Sequence, residues 1–457
     1  MDDEALSAHH TALVDADYNR TKRGLGSAPE GSGDKKAEVA AHYDRIKDRH
    51  RTLEQGSEIL HLRNLNNWIK SALFQKHLFK GDKRYGAAVL DLACGKGGDM
   101  LKFRSSNIAT YVGVDIAANS VRDAVLRYNG QHGRPGMPFG ATFMAGDFCA
   151  ASISERLPPH LASTRFQLAS CQFAMHYAFD SEQRASALLA NAAGRLEIGH
   201  GIFVATIPDA NVLVKRLRAA DGLSFGNSLY QVAFRPQHAS KAFASNASPF
   251  GIAYTFSLKE AVDECEEYLV HLPTLKRLAR ERGLELLYAA NFTDFFANEW
   301  QQHAPLLERM KVLPEDGRPL SQEEWDVAHT YMVVAFRRFC REGEAALPPQ
   351  PTANPGHRDL SPQADIIYLS EEAKAKADAE ATARPPPKAA DDVKADDDSE
   401  EELDSGTAGG TGAIGGKKRT GAGDGDGLGV AGSKRPRAEA IKDERDQKTY
   451  NEDSLFD

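Results

Sequence analysis

The sequence predicts an α/β fold in which helices cover both faces of a parallel β-sheet. Between residues 87 and 208, short apolar segments alternate with segments of helical periodicity, which is typical of βαβ units. A glycine-rich turn at residues 95–98 follows the first of these apolar segments. Low-complexity segments on both sides mark the limits of the folded region.

Five strands are expected in the first half of this region. They span residues 87–92, 110–115, 141–147, 166–172 and 201–208. A helix is expected to begin near Gly98, a second covers 118–128, and helical patterns also separate the later strands. Because helical segments connect successive strands, we expect the strands to run parallel.

The second half of the region adds further strands and one clear helix. The strand-like segments are YQVAF, IAYTF, LELLYAAN and TYMVVAFRR, which lie between residues 230 and 338. Residues 272–283 have helical periodicity, and Gly283 suits the position just after a helix C-terminus.

An amphipathic helix is predicted before the sheet, within a mostly helical segment at residues 36–80. Its apolar stripe recurs every three or four residues and consists of Ile59, Leu62, Leu65, Ile69 and Leu73. A polar stripe at the same spacing consists of Arg63, Asn66, Asn67 and Lys70. Spacing alone favours a solvated face for this polar stripe.

Composition divides the 457 residues into three parts. Residues 1–35 are predicted to be a disordered N-terminal tail and residues 36–341 a single folded domain. Residues 342–457 are predicted to be a disordered acidic tail, because Pro, Gly and charged residues dominate there. Residues 341–457 carry 16 Lys and Arg against 26 Asp and Glu, whereas the rest of the chain is nearly neutral. Any anion site in the folded domain must therefore be a local patch.

Cysteine usage and hydropathy restrict the class of protein. The five cysteines form no CxxC pair and no Cys/His cluster with zinc spacing, so we expect a reducing compartment and no metal. The N-terminus is acidic and lacks the apolar core of a secretory signal. No apolar run approaches the ~20 residues that span a bilayer, so we expect a soluble intracellular protein without a membrane partner.

The turn after the first strand, in VLDLACGKGGDM, is a candidate ligand platform. Ligands in open α/β sheets bind at the carboxyl ends of strands, and glycine lets them approach the backbone closely. The spacing matches neither GxxxxGK[ST] nor GxGxxG, which argues against a phosphate loop and a dinucleotide site. S-adenosylmethionine suits the turn, with Asp115 at the end of the second strand placed for its ribose hydroxyls. A tight turn without any ligand is the alternative.

Several further motifs together resemble the eukaryotic mRNA cap guanine-N7 methyltransferases. The resemblance extends over residues 38–338 and rests on VLDLACGKGGD, RNLNNWIK, VDIAANSV, SCQFAMHYAF, SFGNSLY and DECEEYLVHLPTL. It implies a class I methyltransferase fold with a mostly parallel seven-stranded sheet, N-terminal helices and S-adenosylmethionine as methyl donor without a metal. One position departs from the family, because Ala93 stands where the family usually has glycine.

The resemblance also implies which residues hold the donor. Lys70 is expected at the S-adenosylmethionine carboxylate, Asp115 at the ribose and Asp147 near the adenine amino group. Asp91 is expected to order the turn and to meet the donor ammonium. The complete expected set is Lys70, Asp91, Ala93, Gly95, Asp115, Asp147, Gln172 and Tyr177.

A second set is implied for the capped RNA. Lys96, Lys102 and Arg127 match family positions that face the cap, and positive groups near a helix N-terminus suit a triphosphate. Glu267 can accept hydrogen bonds from guanine N1–H and N2–H together. The complete expected set is Asn66, Asn67, Lys96, Lys102, Arg127, His176, Glu267 and Tyr331. Here the resemblance outweighs the solvated-face interpretation of Asn66 and Asn67.

The implied reaction transfers a methyl group to N7 of the guanosine cap of GpppN-RNA. N7 carries a lone pair and no proton, so we expect orientation alone, which supplies ~7–11 kcal/mol, and no catalytic acid or base. The expected partners are the capped pre-mRNA 5′ end, other capping enzymes and the transcription machinery. The basic clusters KKR and KRPR at 417–419 and 434–437 predict import into the nucleus.

Two other functions are compatible with parts of the pattern. A class I methyltransferase acting on a small molecule would have the glycine turn but no use for the cap-side residues. A cap- or RNA-binding module with weak catalysis would keep the cap-side residues, and Ala93 would then mark the loss of donor binding.

Overall fold

The computed structural model describes residues 57–78, 86–106, 108–130, 135–243, 247–312, 320–344 and 355–383. The tail predicted at residues 1–35, the part of the predicted helical segment before residue 57, and both basic clusters lie outside these ranges. None of the helices within the ranges is both long enough and apolar enough to cross a membrane.

An eight-stranded sheet forms the centre of the fold. Its strand order is β10-β11-β5-β4-β1-β2-β3-β12, and only β11 runs antiparallel to its neighbours. The strands are β1 (Ala87–Leu92), β2 (Ile108–Asp115), β3 (Gly140–Ala145), β4 (Leu168–Gln172), β5 (Ile202–Pro208), β10 (Leu284–Asn291), β11 (Tyr331–Arg338) and β12 (Ile366–Tyr368). The predicted parallel arrangement of the first five strands is confirmed.

Helices cover both faces of this sheet. They are α1 (Leu60–Leu78), α2 (Met100–Arg104), α3 (Ala118–Asn129), α4 (Glu182–Gly194), α5 (Ala210–Ala219), α6 (Leu272–Glu281), α7 (Phe292–Glu299), α8 (Ala304–Arg309), α9 (Gln322–Ala328) and α10 (Glu371–Ala383). Helices α4 and α6 pack on one face, and α1, α3 and α5 pack on the other. Successive side chains of β1 point to opposite faces of the sheet, so Val89 packs in the core with α1 and Leu90 in the core with α4.

The predicted N-terminal helix is confirmed as α1. Its apolar stripe is buried, with Leu62, Leu65, Ile69 and Leu73 at most 1% exposed. Trp68 is fully buried as well, and its indole N–H donates to the carbonyl of His303 at 3.3 Å. This packing fixes α1 against the sheet, and Lys70 of the polar stripe reaches Asp99 in the segment that follows β1.

The predicted seven-stranded sheet is corrected to eight strands. The additional strand, β12, pairs in parallel with β3 and lies in the segment 342–457 that was predicted to be disordered. The prediction of disorder is therefore wrong for residues 355–383, which form β12 and α10. The segment was predicted to be disordered because it is rich in proline and polar residues. Four of its apolar side chains are nevertheless buried: Leu360, Ile366, Leu369 and Ala377.

A second, antiparallel sheet was not anticipated as a separate unit. It has the order β6-β7-β8-β9 and consists of β6 (Ser224–Gly226), β7 (Tyr230–Phe234), β8 (Ala253–Leu258) and β9 (Val262–Tyr268). Tyr177, on the short helix after β4, contacts Cys265 of β9 through its hydroxyl at 3.4 Å. This sheet thus meets the main sheet on the side where β4 ends.

Candidate active site

The glycine turn after β1 has an unusual backbone. Ala93, Gly95 and Gly97 all have positive φ, at 59°, 52° and 73°. A Cβ added to Gly95 would meet nothing within 4 Å, so the turn faces open space at this residue. Gly97 instead backs onto Met100 and Ala124, which leave no room for a side chain. The turn therefore presents bare backbone to open space at Gly95 and is supported at Gly97 by two helices.

Asp115 links the glycine turn to the turn that follows β2. One carboxylate oxygen of Asp115 accepts from the amide of Gly95 and the other from the amide of Ala117, both at 2.8 Å. The side chain is buried at the carboxyl end of β2. Asp115 therefore orders the glycine turn and the turn after β2 through one buried carboxylate.

A buried charge cluster lies beneath the turn. Lys70 of α1 and Lys102 of α2 approach the same oxygen of Asp99, at 2.6 and 3.1 Å. Burial alone raises the pKa of Asp99, but the two lysine charges outweigh it and lower the pKa to about 2. Asp99 therefore remains ionised and holds α1 and α2 together at the end of β1.

Asp91 behaves differently although it lies close to this cluster. Burial, reinforced by the charge of Asp99, raises its pKa to about 7. The hydroxyl of Tyr111 donates to Asp91 at 2.9 Å and opposes that shift. A carboxylate with this pKa lacks a full countercharge, and a cation bound beside it would supply one.

The end of β4 carries polar groups with incomplete hydrogen bonding. The Gln172 amide nitrogen donates to the Ser170 hydroxyl at 3.1 Å, but its buried carbonyl oxygen has no partner among the described residues. Asp147, after β3, accepts from the amide of Cys149 at 2.9 Å and pairs with Arg184 at 2.7 Å. Arg184 was not anticipated, because the pair joins residues 37 positions apart.

A second group of side chains forms an aromatic pocket next to these strand ends. Glu267 of β9 is buried, and its carboxylate accepts from the hydroxyl of Tyr254 at 2.7 Å. Its other oxygen lies 3.4 Å from Nε2 of His176. Neither ring nitrogen of His176 makes a hydrogen bond to a described residue, although the ring is buried. The pocket therefore holds acceptor and donor groups that are not saturated within the protein.

Phe173 is a pocket residue that sequence reasoning missed. It follows β4 with a positive φ of 54°, a strained conformation for a bulky residue. Its amide donates to the hydroxyl of Thr206 at 2.8 Å, which holds this conformation. Its ring meets that of Tyr331 edge to face at 5.2 Å. The sequence pointed to Phe173 only through its position, directly after the expected site residue Gln172.

The expected cap-side residues do not all reach the same surface. Asn66 lies on α1, and its buried amide oxygen has no partner among the described residues; Asn67 follows it on the same helix. Lys96 pairs with Asp123 at 3.3 Å in a half-exposed position, and Arg127 is exposed near the end of α3. Lys102 is buried in the Asp99 cluster, so the structure does not bring it to the surface with the other two cations.

The groups around the glycine turn fit S-adenosylmethionine. The open space at Gly95 and the partnerless oxygen of Gln172 suit a ligand with polar amino-acid and ribose parts. Asp91, with its raised pKa, suits the ammonium group of that ligand. Within the described ranges, no group of three or more His, Cys, Asp or Glu could hold a metal ion.

Comparison with known proteins gives consistent matches. Residues 28–339 match the family model described as the mRNA (guanine-N(7))-methyltransferase domain. The mRNA cap guanine-N(7) methyltransferase 1 of Oryza sativa subsp. japonica is 42% identical over 309 residues, covering 66% of this chain and 80% of the relative. The protein of the same description from Arabidopsis thaliana is 40% identical over 310 residues, covering 66% and 80%. The mRNA cap guanine-N(7) methyltransferase of Schizosaccharomyces pombe is 36% identical over 325 residues, covering 70% and 87%.

Proposed function

The chain belongs to the mRNA (guanine-N(7))-methyltransferase family, and we propose that it methylates N7 of the cap guanosine between the glycine turn and the aromatic pocket. The fold is that of a class I S-adenosylmethionine-dependent methyltransferase, and the substrate class is capped RNA. The proposal concerns which residues of this chain hold the two substrates and how they are brought together.

The donor is proposed to lie along the ends of β1, β2 and β4. Bound there, S-adenosylmethionine supplies an activated methyl group on a sulfonium. Asp115 accepts from the ribose hydroxyls and Asp91 from the ammonium, while Lys70 offers its charge to the carboxylate. The ammonium of Lys70 would then interact with both Asp99 and the ligand carboxylate. Its contact with Asp99, at 2.6 Å, orients the Lys70 side chain. Asp147 and Tyr177 are proposed to close the adenosine end.

The cap guanine is proposed to lie in the aromatic pocket. Glu267 accepts from two adjacent donors on the guanine edge, and the Tyr254 hydroxyl keeps the carboxylate in position. Phe173 and Tyr331 offer apolar ring surfaces to the base. His176 and Asn66 have buried polar atoms available for the base or its sugar. Lys96 and Arg127 are proposed to meet the triphosphate, whereas Lys102 is proposed to support the turn from inside.

The reaction needs orientation and no proton transfer by the protein. N7 of guanine has a free lone pair, and methylation leaves no proton to remove at that atom. Holding two reactants in line lowers the barrier by ~7–11 kcal/mol. The protein's task is therefore to fix the base against the strand ends and to exclude water.

One observation carries the proposal: a buried glutamate, Glu267, lies 3.4 Å from His176, which follows β4, the strand that pairs with β1 before the open glycine turn. A buried carboxylate is costly unless it is paired, and a guanine edge offers two donors to pair with it. A small-molecule methyltransferase would have no need of this group. The second candidate, a cap-binding module with weak catalysis, is favoured only by the strained Ala93.

The decisive experiment is methyl transfer to defined RNA. The full chain is incubated with GpppG-capped RNA and labelled S-adenosylmethionine, and the RNA is then digested and chromatographed for 7-methylguanosine. RNA with an already methylated cap and the Asp115→Ala variant serve as controls, and both should give no product. Binding of capped RNA without product at any donor concentration would favour the cap-binding module.

Nuclear location and association with other capping enzymes or the transcription machinery are also proposed. They follow from the early place of capping in mRNA processing and from the basic clusters at 417–419 and 434–437. A fluorescent fusion in which both clusters are changed to alanine should leave the nucleus. Unchanged nuclear accumulation of that variant would remove the clusters from the proposal.

A further inference from the structure

Residues 355–383, here called the C-terminal brace, lie beyond the segment matched by the family model, which ends at residue 339. The brace adds β12 to the edge of the main sheet, in register Ile366–Phe143 to Tyr368–Ala145. Leu369 continues the pairing, because its amide donates to the carbonyl of Ala145 at 2.9 Å. Without the brace, β3 would be an edge strand with unpaired backbone groups.

The brace reaches the loop that leads to the proposed adenosine end. A Cβ added to Gly146 would lie 2.7 Å from Cβ of Leu369, so Leu369 stands directly behind Gly146. The amide of Gly146 donates to the carbonyl of Asp115 at 2.9 Å, and Asp147 is the next residue. Leu369 is 2% exposed and belongs to the core formed by β1, β4 and α4. It therefore fills the space that would otherwise let this loop move.

A separate part of the brace is anchored to α3. The side-chain amide of Asn129 donates to the carbonyl of Leu360 at 2.7 Å and accepts from the amide of Leu360 at 2.9 Å. The ring of His357 lies 4.9 Å from that of Tyr128. Arg122 donates to the carbonyl of Ala377 in α10 at 3.1 Å. These contacts hold the brace in place independently of Leu369.

We propose that the C-terminal brace is a positioning element of the methyl-donor site and that Leu369 is the residue through which it acts. The proposal rests on the proposed function, since it takes the loop after β3 to be the adenosine end of the donor site. Leu369 supports Gly146, and Gly146 in turn fixes Asp147 relative to Asp115. Leu360 anchors the brace but lies at the far end of α3, so it serves as a matched control.

The test compares two equivalent truncations within the full-length chain. Leu369→Ala should weaken the binding of S-adenosylhomocysteine by about fivefold or more, because coupling through packed side chains is of that order. Leu360→Ala removes the same buried atoms at the other anchor and should change the affinity by less than about twofold. Affinity is measured by calorimetry and the loss of stability by thermal unfolding. Leu369→Met should restore most of the affinity, because it conserves volume.

A second readout separates positioning from general loosening. Hydrogen exchange should accelerate at residues 145–151 in Leu369→Ala, while residues 284–291 of β10 keep their protection. At saturating donor, kcat should be unchanged and KM for S-adenosylmethionine raised. Leu369→Val provides a milder change if the alanine variant does not fold. Equal donor affinities in the Leu369 variants and wild type, or equal losses in both alanine variants, would overturn the proposal. Donor binding needs no RNA, so its outcome is independent of whether the cap is methylated.

Discussion

The ammonium of Lys70 lies 2.6 Å from a carboxylate oxygen of Asp99 and thereby ties the N-terminal helix to the glycine turn. Lys102 approaches the same oxygen, so one buried carboxylate balances two cations. This arrangement explains why Lys102, expected at the cap, is buried instead. It also makes the geometry around Lys70 depend on a residue that was not among the expected site residues.

Asp99→Asn should therefore destabilise the protein by about 3–5 kcal/mol at pH 7, because the buried Lys102 and the half-buried Lys70 lose their countercharge. The pKa of Asp99 is lowered in the folded state from 3.8 to about 2. Its contribution is thus complete above pH ~4 and is lost as the pH falls towards ~2. Urea unfolding of both proteins at pH 7 and pH 3 measures this. Asp123→Asn, at the half-exposed pair with Lys96, is the control and should cost less than about 1 kcal/mol. Similar losses for both variants would contradict the buried-pair assignment.

Donor affinity should depend on pH through Asp91, whose pKa is raised to about 7. Below that pH the carboxyl is protonated and cannot balance the ammonium of the donor. From pH 7.5 to 5.5 the affinity should fall by up to about tenfold per pH unit below the pKa, while the ammonium itself, with a pKa near 8, stays charged. The folded protein binds the Asp91 proton more tightly than the unfolded chain does, because burial raises the pKa. The free energy of unfolding should therefore decrease as the pH rises from ~4 to ~7.

Calorimetry with S-adenosylhomocysteine at pH 5.5, 6.5 and 7.5 provides the measurement for Asp91. The matched variant is Asp91→Asn, which should bind weakly with a flat pH profile over this range. A wild-type affinity that is constant between pH 5.5 and 7.5 would show that Asp91 does not meet the ammonium.

Ala93→Gly should stabilise the protein. Ala93 has a φ of 59°, which costs a residue with a Cβ about 1–2 kcal/mol. Glycine removes this strain, and the greater entropy of its unfolded state takes back ~0.4–1 kcal/mol. The midpoint of urea unfolding should therefore rise slightly. Ala190→Gly, in the interior of α4, should instead lower the midpoint, because glycine in a helix interior costs about 1 kcal/mol. A decrease for both variants would mean that the alanine methyl makes contacts that outweigh the strain.

The main sheet was predictable because its strands are continuous apolar runs and its helices have regular stripes. β9 was not predicted as a strand, because acidic residues are uncommon in strands. In β9, acids occupy the exposed positions Asp263 and Glu264 and also the buried position Glu267. The Tyr254–Glu267 bond depends on the register of two antiparallel strands, which local sequence does not specify. β12 was missed because three residues in a polar segment carry too little periodicity, and its pairing comes from tertiary packing.

The salt dependence of RNA binding should identify the phosphate contacts. Lys96→Gln and Arg127→Gln should each reduce the slope of log affinity against log salt by about 0.7–1, the value for one phosphate contact on a single strand. S-adenosylhomocysteine binding should remain the same in both. Lys259→Gln, at an exposed pair with Glu58, is the control and should leave the slope unchanged. Fluorescence anisotropy with GpppG-capped RNA at several salt concentrations measures these slopes, and unaltered slopes would place the phosphates elsewhere.

Glu267 gives the sharpest test of the guanine pocket. Guanine offers two adjacent donors, and inosine lacks the N2 amino group. An inosine cap should therefore cost the wild-type protein about 1–3 kcal/mol in kcat/KM, because one buried acceptor position is left unpaired. In Glu267→Ala the overall transfer should fall strongly while S-adenosylhomocysteine still binds. The additional penalty for inosine should then nearly vanish, since the group that distinguishes the two bases is gone.

Tyr254→Phe is the matched control for this cycle. It removes only the hydroxyl that donates to Glu267 at 2.7 Å and keeps the ring in the core. The carboxylate is still present, so the inosine penalty should persist even though the overall rate falls. Loss of the penalty in Glu267→Ala but not in Tyr254→Phe assigns the N2 contact to the carboxylate itself. An inosine penalty that is the same in all three proteins would remove Glu267 from the guanine edge and direct attention to two other acids of β9, the exposed Glu264 and the half-buried Glu266.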